Sequence, residues 1–217
     1  VYSEKYMTDE EAKELLLSNL DGKPLAEPKV VAYKTGRRRK QWNKNVICIG
    51  LASGFFEPLE STNIHLIQTA AIRLVKFFPH NGINIEEINE FNRQSKIESE
   101  GIRDFIILHY KLNGRDDSEF WRYCKDMSIP DSLQQKLDIF QGYGRVERQA
   151  DELFREESWV QVLVGQNMLP NQYDPFVDLK SQQELESFVN TTQGVIKNCL
   201  TNLPNHAEFL SQHCLAK

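Results

Sequence analysis

Three features predict an α+β fold that is mainly helical. Clear strand-type apolar runs fall within the first 57 residues, helix-period apolar patterns dominate the rest, and capping signatures recur ahead of those patterns. The chain has 217 residues, 40% hydrophobic and 26% charged, which is ordinary globular composition and enough length to bury a core.

Thr8 with Glu11 forms a capping box, and Leu15, Leu16 and Leu20 follow before Asp21 and Gly22, so the first helix is expected over residues 9–20. Val30, Val31 and Tyr33 predict a strand over 29–34. The VICIGLA run predicts a second strand over 45–52, buried on both faces. Between them lies a basic turn.

From Pro58 the period changes. Ile64, Ile67, Ala71, Leu74 and Phe78 recur at three and four residues, an amphipathic helix ended by Pro79 to Gly82. Asn84 with Glu87 opens a longer helix through Tyr110, weakened near Gly101. Residues 118–127 and 131–140 give two shorter helices, with Pro130 at the start of the second. Residues 142–151 have no clear pattern, and 159–169 fits a helix or a buried strand. Residues 171–178 read as a loop, Ser181 with Glu184 caps a long helix, and Asn205 with Glu208 opens a last short one.

The formal net charge of −5 argues against a dedicated nucleic-acid binder. One basic run, Lys34, Arg37, Arg38, Arg39, Lys40 and Lys44, reads as a solvated turn and leaves contact with a phosphate-bearing cofactor open. The four cysteines form no CxxC pair and read as free thiols in a reducing cytosol. The five histidines show no zinc-ligand spacing, so no metal is expected. The apolar stretch 46–56 is too short to span a bilayer, and no signal peptide opens the chain. A cytoplasmic protein with no membrane association is the expectation. GxSxG, GxxxxGK[ST] and GxGxxG are all absent. Val1 to Tyr6 reads like the middle of a longer protein.

The segment GLASGFFEPLESTN, residues 50–63, differs in kind. A strand runs into a Gly-rich turn, then Glu57 and Glu60, then Ser61 and Thr62 at a helix start. Unpaired amides at such a helix end suit an anion, and Glu60 is placed to act as acid or base. Capping and dipole preferences by themselves also account for acidic and Ser/Thr residues here.

SGFFEPLESTNIHLIQTA closely resembles the signature of the flavin-dependent tryptophan halogenases. The resemblance extends through YSEKYMTDEEAKELLLSNLDG, TGRRRKQWNKNVICIGLASGF, RDFIILHY, FWRYCKDMSIPDSLQQKLDIF and QVLVGQNMLP to essentially the whole chain. It implies that residues 1–57 are the last strands and helix of an FAD-dependent monooxygenase-like module and that 58–217 form a helical substrate region. It also implies halogenase chemistry. Reduced FAD, delivered as FADH2 by a separate flavin reductase, reacts with oxygen and halide, chloride or bromide, and hypohalous acid passes through a tunnel to an aromatic substrate.

By the same resemblance Glu60 is the catalytic glutamate, the backbone amides of Thr62 and Asn63 hold the halide, and Gly50, Leu51, Ala52 and Ser53 pass beside the flavin. Substrate contacts map to Tyr143, Gln149, Leu153 and Phe154. Tryptophan-specific members have a glutamate at the position of Gln149 and a Phe-Trp pair at Leu153 and Phe154, so an indole-type or larger aromatic substrate is expected rather than free tryptophan. The family's GxGxxG loop, catalytic lysine and WxWxIP motif are not in these residues, so the chain alone is expected to be inactive. The alternative is a non-catalytic helical interaction domain derived from the same fold, in which Glu60 is only a helix cap. The oligomeric state is left open.

Overall fold

A computed structural model describes residues 1–215. The fold is α+β and mainly helical, and the chain divides into two compact units, residues 1–172 and residues from Tyr173 onward.

In the first unit, α1 spans Asp9–Ser18. Thr8 accepts from the Glu11 amide, and the Glu11 carboxylate accepts from the Thr8 amide at 2.8 Å, so the capping box closes in both directions. The helix ends at Ser18, two residues short of the expected Leu20, with Asn19 as its C-cap, whose side-chain amide donates to the Leu15 carbonyl.

The strands depart from expectation. Residues 29–34 form no regular element, and pairing falls instead on two short ladders. Strand β1 (Gly36–Arg37) pairs antiparallel with β4 (Gly54–Phe55), and β2 (Trp42–Asn43) pairs with β3 (Val46–Ile47). The expected strand over 45–52 is therefore only two residues long, and Val46 is exposed. Gly50 explains the shortening. Its φ of 65° leaves the strand region and starts a tight 3-10 turn, Gly50–Ala52. The basic run is not merely a solvated turn either: Arg37 pairs with Glu100 at 3.0 Å, and Arg38 Nε donates to the Ala52 carbonyl.

Helix α2 covers Asn63–Lys76 and α3 covers Ile85–Lys111. The latter runs unbroken through Gly101, because a side chain from another segment fills the space beside it. A Cβ there would meet Glu152 Cγ at 3.0 Å. Asn92 on α3 works as a substitute strand edge for β2. Its Oδ1 accepts from the Gln41 and Trp42 amides while its Nδ2 donates to the Trp42 carbonyl. Trp42 then packs edge-on against Phe91 at 5.5 Å.

Helices α4 (Glu119–Asp126), α5 (Asp131–Tyr143) and α6 (Glu156–Gly165) follow, which settles the region after Trp159 as helix. Pro130 is the N-cap of α5, and Gly144, at φ 69°, ends it. The main core lies where α3, α5 and α6 meet, around Phe105, Leu108, Leu133, Leu137, Phe140, Trp159 and Leu163. Fully burying side chains of this size contributes about 1.5–3 kcal/mol each. This packing fixes the orientation of α3, which carries half of the candidate site.

In the second unit, the expected loop at 171–178 includes a 3-10 turn, Pro175–Leu179, capped by Asp174. Helices α7 (Gln182–Asn202) and α8 (His206–His213) begin at the predicted caps.

Candidate active site

Glu60 closes a single 3-10 turn, Pro58–Glu60. Ser61, the next residue, is held at φ 52° and ψ 34°, left-handed backbone that a residue with a Cβ adopts at a cost of about 1–3 kcal/mol. The chain reverses there and enters α2 at Thr62. This places a carboxylate, a strained turn and the amino end of a 14-residue helix within four residues.

Helix α3 supplies the partner. His109 Nε2 lies 3.0 Å from Glu60 Oε1, with both side chains largely buried. Its Nδ1 is 2.7 Å from the Phe105 carbonyl oxygen, which can only accept, so Nδ1 carries a proton. The ring is also held edge-on against Phe105 at 4.9 Å, and Phe105 stacks on Phe154 at 3.8 Å. Glu60, His109, Phe105 and Phe154 thus form one continuous path from turn to core.

Thr62 is the N-cap of α2 but makes no side-chain cap bond. It is buried, and its Oγ1 has no hydrogen-bond partner. A buried hydroxyl donor beside the free amides of a helix start has the donor set an anion requires. Asn63, the first residue of α2, faces Gly50 and Ser53 across a narrow crevice. Leu51 and Ala52 are exposed, while Ser53 is buried with its hydroxyl donating to the Gly50 carbonyl.

A buried ion pair behind the site ties α2 to α3: Arg73 donates to Glu98 at 2.9 Å and to Ser95 at 2.9 Å. His65 approaches the other Glu98 oxygen at 3.6 Å.

A tryptophan halogenase family model matches residues 1–182. The chain belongs to the tryptophan halogenase family. It is similar to Xcc4156, a flavin-dependent halogenase from Xanthomonas campestris, with 44% identity and a TM-score of 0.93 over 100% of this chain and 44% of that one. It is also similar to BrvH, a flavin-dependent halogenase from Brevundimonas sp. BAL3, at 39% identity and a TM-score of 0.90, covering 98% of this chain and 43% of that one. Tryptophan 7-halogenase RebH of Lentzea aerocolonigenes is 30% identical over 98% of this chain and 43% of its own length. The chain therefore spans less than half the length of these relatives.

The structure brings together some of the residues singled out in the sequence of this halogenase-family chain, and leaves others apart. Glu60, Thr62, Asn63 and the turn 50–53 surround the start of α2, and Phe154 reaches Glu60 through Phe105 and His109. Leu153 packs with Phe56, Ile102 and Ile106. Tyr143 is exposed at the end of α5. Gln149 lines a separate polar cavity of about 170 Å3 with Gly101, Asp104, Lys136 and Glu152. His109 was missed, because a histidine scan for metal spacing does not detect a contact between distant elements. Among the described residues no His/Cys/Asp/Glu group could hold a metal, the four cysteines are free, and no helix is long and apolar enough to cross a membrane.

Proposed function

We propose that this chain is the C-terminal part of a flavin-dependent halogenase that acts on an electron-rich, indole-type aromatic. Residues 1–57 complete the flavin module and 58–217 form the substrate region. The observation that carries the reading is the Glu60–His109 contact on a strained turn at the start of α2.

In this reading the ring carbon of the substrate attacks the halogen of hypohalous acid, the carbon–halogen bond forms as the halogen–oxygen bond breaks, and the displaced hydroxide becomes water by taking the proton that Glu60 removes from the ring. Glu60 stabilises the resulting arenium cation and takes its proton. His109 holds Oε1, so Oε2 is the oxygen available to the substrate. Thr62 and Asn63 hold chloride or bromide on the helix amides. The tight turn 50–53, exposed at Leu51 and Ala52, admits a flavin at close backbone range, although the chain contains no phosphate loop to anchor one. FADH2 from a separate reductase, when bound, would activate molecular oxygen, the oxidant that converts halide to hypohalous acid. Gln149 stands where tryptophan-specific members carry a glutamate, and a neutral amide lacks the charge that would hold a free amino group, which favours an indole-type substrate.

The test joins residues 1–217 to the part of Xcc4156 that this chain leaves uncovered, and assays indole with flavin reductase, FAD, NADH and bromide. Brominated indole is expected from the fusion and none from the 217-residue chain alone. A fusion that binds FAD yet halogenates nothing contradicts the reading.

A further inference from the structure

A cavity of about 680 Å3 lies beside Glu57 and is lined by none of the Glu60 cluster. Its walls include Tyr6, Tyr33, Tyr110, Phe120 and Trp121, with Glu57 set among them. The rings are braced against one another: Tyr6 meets Phe120 edge-on at 5.4 Å, and Tyr110 stacks on Trp121 at 6.0 Å. Tyr110 faces Glu57, whose Oε2 is buried with no hydrogen-bond partner. A buried carboxylate oxygen without a donor costs free energy that a ligand N–H or O–H would recover.

Charge decides the ligand class. The ionisable side chains of the wall balance, Lys5 and Arg115 against Glu57 and Glu119. The ring faces that would attract an organic cation are already taken by the protein itself. Lys5 sits over Tyr6 at 4.9 Å, and Arg115 over Trp121 at 4.5 Å. Burial, followed by the neighbouring Glu57 charge, holds the Tyr110 phenol well above its ordinary range, so at neutral pH it remains a donor and adds no second negative charge.

We propose that this cavity is a binding site for a neutral, planar aromatic molecule bearing one N–H donor, with the N–H on Glu57 Oε2 and the ring packed against the cavity side of the Tyr110, Phe120 and Trp121 cluster. The site is separate from the Glu60–His109 pair and does not depend on the halogenase reading.

Indole and 1-methylindole, which differ only in the N–H, test it on the 217-residue chain. Calorimetric titration measures affinity, and 1H–15N correlation spectra follow the three tryptophan Nε1–H signals, with Trp121→Phe assigning one of them. Indole is expected to bind about tenfold or more tighter than 1-methylindole and to shift the Trp121 signal while leaving those of Trp42 and Trp159 in place. Glu57→Leu removes the preference for indole, and Tyr110→Phe, a milder change, reduces it. Equal affinity for the two probes, no saturable binding, or shifts centred on Trp159 would overturn the proposal.

Discussion

His109 bridges Glu60 Oε1, 3.0 Å from its Nε2, and the carbonyl of Phe105, 2.7 Å from its Nδ1. One imidazole thus fixes the carboxylate on the EPLE turn to the backbone of α3, and α3 is itself locked by the main core. In the fusion enzyme, His109→Phe should lower kcat by about tenfold or more with little change in KM, since a hydrogen bond to a charged group is worth about 1.5–3 kcal/mol. His109→Gln can still donate to Glu60 and should restore part of the loss. Equal losses in both variants would reduce His109 to a packing residue.

The Arg73–Glu98 pair joins α2 to α3 with both side chains less than a tenth exposed. Removing one partner leaves a buried charge uncompensated, so Glu98→Ala should destabilise by about 3–5 kcal/mol in urea unfolding. The double variant Arg73→Met with Glu98→Leu should recover much of that loss.

Gly101 sits inside a 27-residue helix, where alanine ordinarily adds about 1 kcal/mol. Here the new Cβ would stand 3.0 Å from Glu152 Cγ, and Glu152 is held by Lys136 at 3.1 Å and by the Gln149 amide. Gly101→Ala is therefore expected to lower the thermal midpoint. A rise would mean that Glu152 moves aside freely.

Tyr110 titrates above its ordinary range, first because it is buried and then because Glu57 faces it. The folded chain then holds that proton more tightly than the unfolded one, so its contribution is complete below the unfolded value of about 10 and is lost as pH rises beyond it. Tyr33 and Cys124 shift in the same direction. Unfolding followed from pH ~9 to pH ~11 should show falling stability, with a shallower fall in Tyr110→Phe.

Helix starts were legible in the sequence because their signals are local. Both capping boxes, at Thr8 and Ser181, close in the structure with the three-residue spacing that the side chains require. The strands were not, because pairing is non-local. Val30 and Val31 have strand chemistry but no ladder to join, while Gly36 and Arg37 have little and pair with β4. Gly101 weakens a helix by propensity, and only Glu152, about fifty residues later, shows why it is tolerated. At the site, the resemblance located Glu60 and the start of α2. Its partner His109 lies on another helix, and nothing in the local pattern of RDFIILHY marks it as facing a carboxylate.

The decisive measurement compares Glu60 with Glu60→Gln in the fusion enzyme, following bromination of indole at matched FAD binding and matched thermal stability. If Glu60 stabilises the cationic intermediate and removes its proton, the Gln variant should lose about two orders of magnitude or more in kcat, since general-base action alone contributes about a hundredfold or more. A Gln variant that halogenates at the rate of the parent would show that Glu60 is only a helix-start residue and that the chemistry lies elsewhere.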